Sequence, residues 1–256
     1  MTSSLMSSLY SSNDWMTNAV VFVSLSIAYI IFGIAGFGAA LISAPVMAHR
    51  IPVASVVPLL ALLDLIAALT NGIKLKAKID IGELIWLVPL MVVGSVAGIM
   101  LLISLPGGLT AAALGFFAVG YGIYELFPRP NQALIGRIWV VPFGLAGGVV
   151  SGLFGSGGFV YALYLGRRLN DKDTMRATQS ALIGLSTATR AVIFLAAGSY
   201  SDVRMIEMAI AGLPALFLGL YIGHRISTRL SRAQFVRILS VVSIVTGSSL
   251  ILRFAL

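Results

Sequence analysis

The sequence predicts an all-α polytopic membrane protein of two inverted repeats, each a glycine-broken helical segment followed by three transmembrane helices. Of the 256 residues, 59% are hydrophobic and only 10% are charged, which is more apolar surface than a soluble domain of this size buries. The apolar runs reach the roughly 20 residues that span a hydrocarbon core as helices. A cluster of glycines interrupts one such run in each half of the chain.

Eight apolar segments follow a polar, serine-rich tail over residues 1–14. In order, they cover about residues 15–48, 53–73, 81–105, 109–127, 138–165, 174–197, 205–223 and 235–252. Residues 129–137 are polar, and we predict that they link a first membrane repeat, 15–128, to a second, 138–256. Small residues at Gly94-x-x-x-Gly98 and Gly219-x-x-x-Gly223 predict close helix packing in segments three and seven.

Segments one and five carry the glycine breaks. Segment five has six glycines between Gly147 and Phe159, and segment one has a weaker copy between Gly33 and Ala40. Glycine disfavours a continuous helix and lets backbone approach a ligand, so each break would present unpaired amides inside the membrane. Two broken segments at matching places in two halves are typical of the binding site of a secondary transporter.

The distribution of Lys and Arg predicts the orientation. If every segment crossed the membrane once, 7 basic residues would lie on one side and 9 on the other, and so even a division does not indicate an orientation. If segment five enters and returns to the same face, 13 lie on one side and only Arg50, Arg204 and Arg253 on the other. We therefore predict a re-entrant segment five in a bacterial cytoplasmic (inner) membrane, with the basic loops in the cytoplasm. The distribution of Lys and Arg does not determine whether segment one crosses the membrane, although repeat symmetry favours a re-entrant segment one as well.

The residues around the breaks carry a family resemblance. Gly36 to Pro45 in the first half and Gly147 to Phe159 in the second, with Arg176 to Leu182 and the turns at Asp80 and Asp202, resemble the TauE/SafE sulfite exporter family. The resemblance covers nearly the whole chain. It implies a transporter that moves small anions, typically sulfite, thiosulfate or organosulfonates, across the lipid bilayer.

The chain departs from the family pattern at two places. Where the family shows a run of glycines and then a proline in each half, this chain has Ala39-Ala40 in the first half. In the second half it has Tyr161 to Tyr164 without proline. These departures leave the identity of the anion open.

The chemistry of the breaks favours an anion. A half-helix that begins within the membrane directs about half a positive charge and several free amides at whatever precedes it. We predict that two such ends, near Gly38 and Gly157, converge on one negative group. The predicted substrate-binding residues of the breaks are Gly36, Phe37, Gly38, Ala39, Ser151, Gly155, Ser156, Gly157 and Gly158. Close helix packing is the alternative role for these glycines.

Arg190 is the one Lys or Arg deep inside an apolar segment, and such a group is by default a functional candidate. Its fork-shaped guanidinium matches an oxyanion face, so we predict that Arg190 binds substrate, with Gln179 and Ser180 completing the oxygen shell. The alternative is a structural ion pair with Asp64, the lone acid inside segment two. Asp64 is also a candidate for carrying a coupling proton.

Other functional classes fit less well. Gly155-Ser156-Gly157 suggests a serine hydrolase, but the histidines, His49 and His224, sit at segment ends rather than beside the break. No cysteine is present to form a thiolate metal site, no phosphate-binding loop appears, and no basic stretch interleaved with aromatics suggests nucleic acid. We expect neither an enzyme nor a bound cofactor or metal.

Several properties stay open at this stage. A passive anion channel is the alternative to a carrier. The direction of transport, a co-transported proton or cation, and assembly into a homodimer are not determined by the sequence.

Overall fold

The computed structural model describes residues 15–35, 38–71, 78–127, 134–227 and 232–255. Within these residues the chain is helical and has no strand. The α-helices are α1 Trp15–Ala35, α2 Ala39–Met47, α3 Val53–Asn71, α4 Ile81–Ser104, α5 Gly107–Leu126, α6 Val140–Phe154, α7 Gly158–Arg168, α8 Lys172–Ala196, α9 Val203–Ser227 and α10 Arg232–Ala255. The predicted tail and residues 129–133 of the predicted linker lie outside the described residues.

The helices follow the eight predicted segments. Helices α1 and α2 form segment one, α6 and α7 form segment five, and each remaining segment is one helix. Six stretches in the described part are long and apolar enough to cross a membrane: Val53–Thr70, Ile81–Ser104, Gly107–Leu126, Arg137–Phe154, Lys172–Ala196 and Val203–Ile226. The chain is therefore an all-α polytopic membrane protein, as predicted.

Left-handed glycines mark both breaks. Gly38, which precedes α2, has a φ of 94°, and Gly155, which ends α6, has a φ of 75°. Residues with a Cβ rarely adopt this conformation, so glycine is needed at both positions. The second break leaves half-helices of 15 and 11 residues, about 22 and 16 Å long at 1.5 Å per residue.

Glycines also bring α4 and α6 together side by side and in parallel. A Cβ added at Gly94 would lie 2.3 Å from the carbonyl oxygen of Leu145, and one at Gly98 would lie 2.3 Å from that of Val149. Gly148 of α6 makes the same kind of contact with the backbone of α4. The packing role predicted for Gly94-x-x-x-Gly98 is confirmed, and part of the glycine cluster in segment five shares it.

The first broken segment packs in the same way against the other half. Gly223 of α9 lies so close to α1 that an added Cβ would be 2.4 Å from the carbonyl oxygen of Ile30, and Gly219 faces Ser26. Helix α1 therefore runs parallel to α9, as α6 runs parallel to α4. Each broken segment thus packs against a helix of the other half of the chain, while the inverted repeats stay a prediction.

Both ends of segment five meet at the buried carboxylate of Glu83, in the first turn of α4. Arg168, the last residue of α7, donates from Nε to Oε1 at 2.8 Å, and Nη2 of Arg137, just before α6, lies 3.6 Å from the same oxygen. The hydroxyl of Tyr164 donates to Oε2 at 2.7 Å. The segment thus begins and ends at the same end of the helix bundle, which is the geometry that a re-entrant segment requires.

The basic residues separate between the two ends of the bundle. Lys78 pairs with Asp173 at 2.7 Å at the end that holds Glu83. At the opposite end Arg253 donates to the carbonyl oxygen of His49. This separation agrees with the charge partition behind the re-entrant prediction, and the side of the membrane on which each end lies stays a prediction.

Thiol labelling tests that orientation, because this chain has no cysteine of its own. Asn170→Cys, an exposed position beside Arg168, should resist an impermeant thiol reagent added outside intact cells. The matched control Ser201→Cys, exposed at the opposite end of α8, should react readily. External labelling of Asn170→Cys would contradict the cytoplasmic position of this loop, and external labelling there but not near Lys76 would contradict the re-entrant segment.

Candidate functional site

Both glycine breaks line one cavity, which we call the main cavity. Gly38 comes from the first break, and Gly155, Ser156 and Gly158 come from the second. The other lining residues are Phe32, Leu41, Asp64, Tyr121, Phe159, Ile183, Thr187, Arg190 and Leu239. About 20 Å³ is open to the centres of water-sized molecules, which is room for one or two waters. The starts of the two half-helices therefore line one cavity, and their convergence on a single anion stays a prediction.

A second cavity adjoins the first, and its wall is rich in hydroxyl groups. We call it the hydroxyl cavity; its lining residues are Ser151, Gly155, Gly157, Gly158, Tyr161, Ile183, Ser186, Thr187 and Arg190. The hydroxyl oxygens of Ser151 and Ser186 are 2.7 Å apart. Arg190 and Thr187 line both cavities, so the guanidinium can be reached from either one.

Helix α8 supplies the polar side of both cavities from one face. Ile183, Thr187 and Arg190 follow one another at the spacing of successive helical turns. The helix starts at Asp171, whose carboxylate accepts hydrogen bonds from the backbone N–H and the hydroxyl of Thr174. The bond from the Thr174 hydroxyl holds the pKa of this exposed carboxyl below its usual range.

Arg190 and Asp64 form a buried ion pair. Nη2 of Arg190 lies 3.4 Å from Oδ2 of Asp64, longer than the roughly 2.7–2.9 Å of a strong charged hydrogen bond. The same Nη2 donates to the hydroxyl of Thr187 at 3.3 Å, and the hydroxyl of Tyr29 donates to Oδ1 of Asp64 at 3.0 Å. The ion pair with Asp64, which the sequence analysis gave as the alternative role of Arg190, is present, and Tyr29 is a third member that the sequence analysis did not name.

Half of the guanidinium of Arg190 has no acceptor. Its Nε and Nη1 atoms are buried and make no hydrogen bond among the described residues. A Cβ added at Gly155 would lie 2.9 Å from Nη1, so this nitrogen lies over the bare backbone of the second break. Unsatisfied buried charged donors are costly, so an acceptor placed beside these two nitrogens would be stabilised. Oxyanion oxygens can fill this role.

The other predicted site residues divide between the cavities and their surroundings. Gly36 and Phe37 lie outside the described residues. Ala39 begins α2 and is buried in the core, where it lines neither cavity.

The two predicted residues of α8, Gln179 and Ser180, also lie outside the cavity walls. Gln179 donates from Nε2 to the carbonyl oxygen of Gly158 at 3.4 Å, so it supports the backbone of the second break. Ser180 is exposed and lines neither cavity, because successive helical residues point about 100° apart.

Gly157 combines the two roles considered for the glycines. It lines the hydroxyl cavity, yet a Cβ added there would lie 2.3 Å from the carbonyl oxygen of Gly147. Gly147 in turn lies beneath the ring of Tyr161. By contrast, nothing lies within 4 Å of a Cβ added at Gly38, whose positive φ alone requires glycine. Packing therefore explains Gly147 and constrains Gly157, whereas Gly38 shapes the cavity.

The sequence analysis missed the aromatic side of the main cavity. The ring of Phe159 packs edge-on against that of Tyr121 at 4.8 Å between centroids, and Phe32 lines the same cavity. Scattered aromatics in apolar segments look like ordinary core residues. Tyr29 did leave a signal, since a phenol within an apolar segment needs a hydrogen-bond partner when it is buried.

Comparison with known proteins identifies the family. The family described as sulfite exporter TauE/SafE matches residues 21–250. The chain belongs to this family. It is therefore a membrane transport protein, and the TauE/SafE match spans both breaks and all described residues that line the two cavities.

A curated relative supports the same class. The "probable inner membrane transporter protein TsaS" of Comamonas testosteroni is 25% identical over 199 residues, which cover 75% of this TauE/SafE chain and 81% of that protein. No solved structure matches the chain significantly.

Proposed function

We propose that this TauE/SafE protein is a secondary transporter that carries a small oxidised-sulfur anion across the cytoplasmic (inner) membrane by alternating access. Sulfite, thiosulfate and organosulfonates are the candidate substrates. The observation that carries the proposal is the buried Arg190, which lines a cavity together with both glycine breaks and has two nitrogens without an acceptor among the described residues. Membership of a sulfite exporter family and the relative's description as a probable inner membrane transporter support it.

The anion would be held by charge and by directed donors together. Nη1 of Arg190 has no acceptor among the described residues, and together with Nη2 it offers a fork that two oxygens of a sulfo or sulfite group can accept simultaneously once the anion replaces Asp64. The half-helices α2 and α7 begin at Gly38 and Gly158, and their partial positive charges favour a negative group between them. The hydroxyls of Ser151 and Ser186 supply further donors in the adjoining cavity.

The small size of the cavities favours a carrier over a channel. Each cavity leaves about 20 Å³ for the centres of water-sized molecules, less than a four-atom oxyanion requires. Entry of an anion therefore requires the surrounding helices to move, as alternating access does. A passive channel, the alternative, requires a continuous water-filled path.

Ligand binding to the purified protein tests the proposal directly. The panel is sulfite, thiosulfate, sulfate, taurine and sulfoacetate, with thermal unfolding as the measurement. A true substrate at a hundredfold excess over its Kd should stabilise the folded state by about 2.7 kcal/mol and raise the melting temperature. Stabilisation by none of these anions would contradict the proposed substrate class.

Transport in proteoliposomes separates carrier, channel and enzyme. A carrier should accumulate the anion against its gradient, whereas a channel can only let it equilibrate. The anion should be recovered chemically unchanged, because the hydroxyl of Ser156 donates to the carbonyl oxygen of Phe154 at 3.3 Å and the histidines lie at helix ends. A modified product would contradict the transporter proposal.

A further inference from the structure

We propose that Asp64 is the proton-coupling group: an anion that binds Arg190 displaces the Asp64 carboxylate, which then takes up a proton, so that anion and proton cross together. This inference rests on the proposed function. It adds to that function the co-transported ion, the residue that carries it and the direction of coupling.

The geometry leaves Asp64 as a weak, replaceable partner of Arg190. The pair has one contact, Oδ2 to Nη2 at 3.4 Å, and the other two nitrogens of the guanidinium, Nε and Nη1, have no acceptor among the described residues. Asp64 and Arg190 both line the main cavity, so an anion that enters meets both groups. An incoming oxyanion thus competes with Asp64 for the same cation.

Charge balance explains why a proton must accompany the anion. The side chains of Arg190 and Asp64 are only 2% and 6% exposed, and together they are neutral. An added anion would leave at least one uncompensated negative charge in a site with room for one or two waters, which is unfavourable. A proton on Asp64 removes one negative charge, which neutralises the site when a monoanion is bound, and it frees Arg190 to pair with the anion alone.

The surrounding titratable groups leave this role to Asp64. Among the described residues, those that act electrostatically on Asp64 are Tyr29 on α1 and Arg190 on α8. Tyr161 on α7 and Tyr200, just after α8, act on Arg190 in turn. Arginine stays protonated, and phenols are neutral in the pH range in which carboxyl groups titrate. Of the described groups facing this pair, Asp64 is the one that can exchange a proton.

The proposed step is balanced. On binding, the contact between Nη2 and Oδ2 breaks, Arg190 forms charged hydrogen bonds to the anion, and a proton from solution bonds to a carboxylate oxygen of Asp64. The hydroxyl of Tyr29 remains beside the carboxyl group throughout. On the other side of the membrane the anion leaves, the proton leaves Asp64, and the ion pair re-forms.

The test measures anion affinity and proton uptake together on the purified full-length protein, with thiosulfate and methanesulfonate as probes. Both are fully ionised between about pH 5 and pH 8, so any proton taken up binds to the protein. We expect about one proton bound per anion, detected by a pH indicator in weak buffer. Above the pH at which Asp64 ionises, affinity should fall about tenfold per pH unit.

Variants assign this pH dependence to a residue. Asp64→Asn should bind the probes with nearly constant affinity over this range and take up no proton. Because that variant leaves Arg190 unpaired without ligand and is expected to be less stable, Tyr29→Phe provides a second measurement. Removing the Tyr29 hydrogen bond makes the carboxylate less favourable, so affinity should begin to fall at a higher pH. Asp202→Asn, an exposed acid outside the cavities, is the control and should behave like the wild type.

The outcomes separate this inference from the proposed function. Binding without proton uptake, or pH dependence that persists in Asp64→Asn and is unmoved in Tyr29→Phe, would overturn the coupling role and leave the anion site intact. Failure of both probes and of the wider anion panel to bind the wild type would overturn the anion site, and the coupling role with it.

Discussion

Arg190→Lys should bind the sulfur anion about 10- to 100-fold more weakly than the wild type, because charged hydrogen bonds contribute about 1.5–3 kcal/mol each. Lysine keeps the positive charge near Asp64, so the protein should fold. It cannot reproduce the fork, since its ammonium is a single point charge and lacks a donor in the position of Nη1, which lies against the break at Gly155. Titration of the purified variant with the anion that stabilises the wild type measures the loss.

Removing the charge distinguishes binding from structural pairing. Arg190→Gln leaves the Asp64 carboxylate buried and unpaired, so we expect a stability loss of about 3–5 kcal/mol. Adding Asp64→Asn removes the second charge, and the double variant should recover stability while still failing to bind or transport the anion. Arg204→Gln, which changes an exposed arginine, serves as the control. Full transport by the double variant would show that Arg190 is structural only.

Gly98→Leu should prevent α4 and α6 from packing and cost about 3 kcal/mol or more. The reason is that even its Cβ would lie 2.3 Å from the carbonyl oxygen of Val149, and backbone cannot move aside as a flexible side chain can. Anion binding should be lost as well, because α6 ends in the glycine break that lines both cavities.

Gly120→Leu is the matched control for that change. Gly120 is also a helical glycine, but it is exposed, and nothing lies within 4 Å of an added Cβ. Thermal unfolding and size-exclusion chromatography in detergent measure both variants. Equal stability of the two would contradict the close packing of α4 and α6.

The sequence by itself determined the helical segments and the two breaks, and it singled out Arg190 and Asp64 as charged residues inside apolar segments. Each follows from a strong local signal. Apolar runs must form helices in a membrane because backbone groups have no water to bond there. A glycine cluster disfavours a helix wherever it occurs, and a charge inside an apolar segment requires a partner. For Arg190 the sequence offered two partners, the transported anion and Asp64, and did not decide between them.

Only the tertiary structure decided which side chains contact one another and which residues line the cavities. Tyr29 contacts Asp64, 35 residues away in sequence, and Tyr164 and Arg168 contact Glu83, 81 and 85 residues away, so no local sequence pattern marks these contacts.

Whether a glycine allows close packing or shapes a cavity depends on its neighbours in space. Gly157 meets a carbonyl oxygen at 2.3 Å, whereas Gly38 faces open space. Gln179 and Ser180 are neighbouring polar residues, and the sequence does not distinguish their roles. The orientation of α8 buries Gln179 and leaves Ser180 exposed.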